Sequence, residues 1–113
     1  MELQAGAIPI LPSSDLDASQ TFYERLGFTL TSDYSSHGYR ILHDPGGASI
    51  HLTKVDAGWL VPERNGHGVY LYSRKVDALA DEFGSVVDPK PWGLREFAVS
   101  DPDGTLVRVG WRD

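Results

Sequence analysis

The apolar positions of this chain fall into two successive cycles of one rhythm. Each cycle is a short apolar run, a stretch of helical spacing and then three short runs that read as strands. In the first cycle, residues 5–11 form an apolar run that ends at Pro12, the pattern of a strand. Ser13, Ser14 and Asp15 follow, residues whose side-chain oxygens accept from free amides of a first helical turn. Leu16, Ser19, Tyr23 and Leu26, with Phe22 beside them, share one helical face, and Gly27 stands where a left-handed cap is needed. A helix is predicted over residues 15–26. Residues 28–33 and 39–43 flank a polar turn and read as strands. Residues 48–55 alternate, with Ile50 and Leu52 on a core face and Ser49, His51 and Thr53 on an opposite, polar face.

The second cycle repeats this order. Residues 68–73 predict a strand. Residues 75–83 predict a helix, with Val76, Leu79, Ala80 and Phe83 on one face and Gly84 as the stop. Residues 85–87 and 96–100 predict strands around a Pro-rich turn, and residues 105–111 a last strand with Val107 and Val109 facing the core. Between the cycles, residues 56–66 carry Gly58, Pro62, Asn65 and Gly66 and read as a linker. Trp59, Leu60 and Val61 are apolar for a solvated loop and are expected to dock on a neighbour or another subunit. The turns Asp44-Pro45-Gly46-Gly47 and Asp101-Pro102-Asp103-Gly104 sit at matching places, each followed by an alternating strand. In that register His51 matches Arg108. The chain is therefore read as one α+β domain with repeat one at residues 5–55, the linker at 56–66 and repeat two at 67–113.

Composition narrows the function classes. The chain has 113 residues, a net charge of −6 and no cysteine. A negative surface disfavours nucleic acid and anionic lipid, and favours a cationic ligand. Without cysteine there is no disulfide framework or thiolate metal site. No apolar run reaches membrane-spanning length, and no basic stretch followed by an apolar one opens the chain. A cytoplasmic location is expected. There is no nucleophile elbow, GxGxxG or Walker loop, and no carboxylate pair can be named as general acid and base from spacing.

Residues 5–28, AGAIPILPSSDLDASQTFYERLGF, and residues 91–104, PWGLREFAVSDPDG, resemble the bleomycin resistance proteins of the vicinal oxygen chelate superfamily. That superfamily also holds glyoxalases, extradiol dioxygenases and fosfomycin-inactivating enzymes. The resemblance spans almost the whole chain. It implies that each βαβββ unit curls into a half-barrel, that two units form a cup, and that two chains pair, often exchanging strands. It also implies that drug-binding members hold ligand in grooves at the dimer interface and act by sequestration.

The enzymes of this superfamily place four metal ligands on the cup face. Counting back seven residues from Asp15 reaches Ile8, and from Arg74, its expected counterpart, reaches His67. His51 and Arg108 complete the quartet. Ile8 has no donor atom and Arg108 is a permanent cation. Catalytic metal sites generally need three protein ligands. No metal or other cofactor is therefore expected, and His51 and His67 are read as polar residues of the cup lining.

The resemblance points to Tyr34, Tyr39 and Trp92 as groove residues, since aromatic faces suit planar heterocycles. Ser49, His51, Thr53, Trp59, His67 and Arg108 complete the candidate set. An acidic chain suits a basic glycopeptide such as bleomycin, whereas Arg108 disfavours a nearby cation. The expected function is non-catalytic capture of a small aromatic or peptide-like molecule by a homodimer. The alternatives are a metal-dependent lyase or dioxygenase, and a structural or regulatory dimer without ligand.

Overall fold

The computed structural model describes residue 3 and residues 5–112. Among these residues the chain forms two four-stranded sheets and two α-helices. The first sheet contains β1 (Ile10–Ser13), β2 (Thr29–Tyr34), β3 (Tyr39–His43) and β4 (Ser49–Lys54), in the order β1-β4-β3-β2. The second contains β5 (Gly68–Tyr72), β6 (Asp88–Pro89), β7 (Leu94–Ser100) and β8 (Leu106–Arg112), in the order β5-β8-β7-β6. In both sheets the outer first strand pairs in parallel with the last, and the other neighbours are antiparallel. The fold class read from the sequence, α+β from paired βαβββ units, is the one observed. Both Asp-Pro turns close alike. The Asp44 and Asp101 amides donate to the carbonyls of Ala48 and Thr105, at 2.8 and 2.9 Å.

Helix α1 (Leu16–Arg25) starts where its chemistry dictates. Asp15 Oδ1 accepts from the amides of Asp17 and Ala18 at 3.0 and 3.1 Å. Ser13 belongs instead to β1, its hydroxyl sharing a 2.6 Å bond with Ser19. β1 starts later than the apolar run suggests and takes in Pro12. It is an edge strand, so the missing N–H of Pro12 removes no ladder bond. Helix α2 (Val76–Glu82) is capped by Lys75, which makes no side-chain cap bond, and not by Arg74. The Arg74 guanidinium lies over the Trp111 ring at 5.0 Å, outside the helix. The strand expected at residues 85–87 is displaced to β6. Gly84 adopts a φ of 63° and the Ser85 amide bonds back to the Ala80 carbonyl at 2.8 Å, so the helix end occupies those residues.

One core joins the two units. Leu42, Ile50 and Leu52 from one sheet and Val107 and Val109 from the other are fully buried, with Tyr23. The units meet on their helix sides. Phe22 packs on Phe83 at 5.4 Å, Arg25 pairs with Glu82 at 3.1 Å, and the Tyr23 hydroxyl donates to Asp101 Oδ2 at 2.7 Å. The Ser14 amide and hydroxyl both donate to the Asp103 carboxylate, at 3.0 and 2.5 Å. The sheet faces turned away from the helices are thereby left open to the surface. Ile10, Tyr34, Tyr70, Tyr72, Trp92 and Leu106 are all exposed there or at their rims.

Candidate functional site

Strand register defines the two open faces. On the first sheet, Tyr34 pairs with Tyr39 and Tyr39 with Thr53, while Ile41 pairs with His51 and His51 with Ile10. His43 pairs with Ser49. Paired residues point to the same side of a sheet. Tyr34, Tyr39, Ser49, His51 and Thr53 therefore share one face, as the alternation predicts for Ser49, His51 and Thr53. The Tyr39 hydroxyl and His51 Nδ1 share a 2.6 Å hydrogen bond with their rings edge to face. His43, the last residue of β3, is half-buried on this face and bonded to the Ser49 hydroxyl at 3.0 Å.

On the second sheet, Tyr70 pairs with Arg108 and Arg108 with Ala98, while Tyr72 pairs with Gly110 and Gly110 with Glu96. Glu96 is 2% exposed and is the centre of this face. Its Oε1 accepts from the Tyr70 hydroxyl at 3.1 Å and from Trp92 Nε1 at 3.2 Å. Its Oε2 accepts from Arg108 Nη1 at 3.0 Å. Burial pushes the carboxyl upward, but the bonds from Arg108, Tyr70 and Trp92 outweigh it and hold Glu96 below the usual glutamate range. The Tyr70 phenol is pushed up to about 12, first by burial and then by its bond to that anion. Gly110 makes room for the arrangement, because a Cβ there would overlap the Tyr70 hydroxyl. Beside this cluster lies a cavity of about 230 Å³ lined by Gly68, Val69, Tyr70, Leu106 and Arg108.

Sequence reasoning missed Glu96, Tyr70 and Tyr72. Alternation could have found them, since Glu96 and Ala98 fall in phase with Arg108, as do Tyr70 and Tyr72 in β5. The pairing also resolves the sign of Arg108. Its charge is compensated by Glu96, so it does not impose a net positive potential against a cationic ligand.

The metal quartet needs one correction. Ile10 stands to His51 as Tyr70 stands to Arg108, so the counterpart of Ile8 is Gly68 and not His67. The count slipped by one residue because α2 is capped by Lys75. His67 precedes β5, out of phase with Tyr70, and its ring Nδ1 lies 2.8 Å from Asn65 Oδ1. Ile8, His51, Gly68 and Arg108 offer one neutral donor side chain and one cation, and this set does not fit a divalent ion. Among the described residues no three His, Cys, Asp or Glu side chains gather to hold a metal. Trp59 lies on neither sheet face. It projects from the connecting loop with 74% of its surface exposed.

A larger cavity of about 520 Å³ opens at the start of α1, between Asp15, Asp17, Ser35, Arg40 and Lys54. Arg40 there is paired with Asp17 at 2.7 Å and with Asp33 at 3.2 Å. It is a solvated polar notch without aromatic walls, and the aromatic faces are the better ligand surfaces.

A family profile described as Glyoxalase/Bleomycin resistance protein/Dioxygenase superfamily matches residues 7–109. Among solved structures, a bleomycin-binding protein complexed with bleomycin is 25% identical, with a TM-score of 0.79 over 97% of this chain and 100% of that one. A bleomycin resistance determinant encoded on the transposon Tn5 is also 25% identical, with a TM-score of 0.80 over 97% and 99% of the two chains. A bleomycin-binding protein from bleomycin-producing Streptomyces verticillus, complexed with copper(II)-bleomycin, shares the fold at 24% identity and a TM-score of 0.69, over 96% and 97% of the chains. No curated protein matches the sequence.

Proposed function

This chain belongs to the glyoxalase/bleomycin resistance protein/dioxygenase superfamily, and from that premise we propose that it captures and sequesters a small bleomycin-like antibiotic without covalent chemistry. The observation that carries the reading is the content of the four metal positions. Ile8, His51, Gly68 and Arg108 cannot assemble a Lewis-acid site, whereas the same faces carry Tyr34, Tyr39, Tyr70, Tyr72 and Trp92. Flat aromatic surfaces with a few fixed polar groups suit a planar heterocycle. Similarity to proteins solved with bleomycin supports that class of ligand. The two open faces support pairing of two chains, so that the face of one sheet meets a face of the partner and encloses a groove. Exposed apolar residues on a sheet face are otherwise costly in water.

Titration with bleomycin-family drugs, followed by tryptophan emission, tests the ligand. Saturable quenching that is lost in Trp92→Ala is expected. Absence of any response at high micromolar drug rejects the antibiotic reading. Light scattering in solution checks the assembly, with a mass near twice 12.4 kDa expected. A stoichiometric divalent ion in protein purified without chelator would instead support the enzymatic alternative.

A further inference from the structure

The two open faces are built on one plan, and only one of them has a charged hub. Tyr39 and His51 on the first sheet occupy the places that Glu96 and Arg108 hold on the second, each pair joining adjacent antiparallel strands by a side-chain hydrogen bond. The first pair is a local contact between two rings. The second gathers groups from three separate segments. Tyr70 comes from β5, Trp92 from the turn before β7 and Arg108 from β8, and all three converge on one buried carboxylate.

A carboxylate at 2% exposure is expensive unless its lone pairs are met by donors. Here both oxygens are met, and meeting them fixes the donors in turn. Trp92 is 60% exposed and sits at a turn. Without its bond to Oε1, that indole would have free rotamers to lose on binding. Tyr70 is held by the same oxygen, with its ring 5.3 Å from Tyr72. Arg108 keeps 44% of its side chain exposed beside the 230 Å³ cavity. Immobilising side chains before the ligand arrives removes an entropic cost from binding.

We propose that Glu96 is the positioning residue of the second face: it touches no ligand itself, and holds Trp92, Tyr70 and Arg108 ready to receive one. The surface so presented is aromatic and compensated in charge. It suits a flat heteroaromatic group carrying a hydrogen-bond acceptor for the guanidinium. This rests on the proposed ligand-binding role, but the positioning itself can be read without ligand.

The test uses the full chain, labelled with 15N, and the three tryptophan indole N–H resonances, that of Trp92 being assigned by its loss in Trp92→Phe. In Glu96→Gln the acceptor becomes neutral, so the Trp92 proton shifts upfield while those of Trp59 and Trp111 stay in place. In Tyr70→Phe the Oε1 atom serves Trp92 alone, and the same proton moves downfield. Opposite signs from the two variants separate a shared acceptor from general loosening, and Tyr70→Phe keeps the test open if Glu96→Gln fails to fold. With bleomycin as the probe, Glu96→Gln weakens binding about tenfold, and adding Arg108→Ala to it costs little more, because the two act as a unit. An unmoved Trp92 resonance in both variants, or strictly additive losses of affinity, overturns the proposal. A wild-type chain that ignores bleomycin overturns the ligand reading alone, and the indole shifts still decide the role of Glu96.

Discussion

Removing one buried hydroxyl, by Tyr23→Phe, probes the joint between the two units. Tyr23 is fully buried on α1 and donates at 2.7 Å to Asp101 Oδ2, at the start of the second Asp-Pro turn. Asp101 Oδ1 accepts from the amides of Asp103 and Thr105 at 2.9 and 3.0 Å. Phenylalanine keeps the edge-on packing against Phe22 and Phe28, so the change isolates the hydrogen bond. A bond to a charged, buried acceptor is worth about 1.5–3 kcal/mol. A loss of about 2 kcal/mol at pH 7 is expected, lowering Tm by about 8 °C for a domain of this size. The pH dependence is the sharper test. Burial raises the Asp101 pKa above its ordinary value, while the bonds from Tyr23 and the two amides work against that rise. A carboxyl raised by folding adds stability below its unfolded pKa, and that contribution is lost as pH climbs through the folded value. Without the Tyr23 donor the rise is larger, so the deficit of the variant opens between acid and neutral pH and shrinks at pH 3. Urea denaturation at both pH values, with an unchanged m-value, measures it. A cost under about 0.5 kcal/mol at pH 7, or a deficit that grows on acidification, would refute the reasoning.

The two Asp-Pro turns offer a matched pair. Gly47→Ala, at φ 114° with open space around it, should cost about 1 kcal/mol in urea midpoints. Gly104→Ala, at φ 86°, should cost about 3 kcal/mol or more, because its Cβ would overlap the Pro62 carbonyl. Equal costs would contradict the packing of the connecting loop on the second turn. Arg25→Ala should cost under about 1 kcal/mol, since its ion pair with Glu82 is half-exposed and its stacking on Phe83 at 4.1 Å is a surface contact. The Glu96 carboxyl is held below its ordinary range, so its contribution persists above the unfolded pKa and is lost as pH falls through the folded one. The Trp92 indole resonance should therefore stay constant from pH 7 down to about 4.3 and move only below it, and an inflection near pH 6 would contradict the assignment.

Much of this protein was legible in the pattern of residues. Period-two alternation in residues 48–55 separates Ile50 and Leu52 from Ser49, His51 and Thr53, and the structure keeps that division. The Asp15 cap, the Gly27 stop and the two Asp-Pro turns are local devices, whose chemistry is complete within a few residues. For that reason they can be read from the chain alone.

Tertiary structure decided what depends on partners distant in sequence. Lys75 caps α2 without a side-chain bond of its own. The nearby signal is the Ser73 hydroxyl, which accepts from the Lys75 amide at 3.1 Å but stands two residues before the cap and does not mark it, and the one-residue slip put His67 where Gly68 belongs. A strand parity is two-fold, and an error of one exchanges the faces. Glu96 shows the same limit from the energetic side. A glutamate in an alternating strand reads as solvated, because burying a lone carboxylate is prohibitive. Only the convergence of Tyr70, Trp92 and Arg108 makes its burial affordable, and those donors meet at one point only once the second sheet has formed.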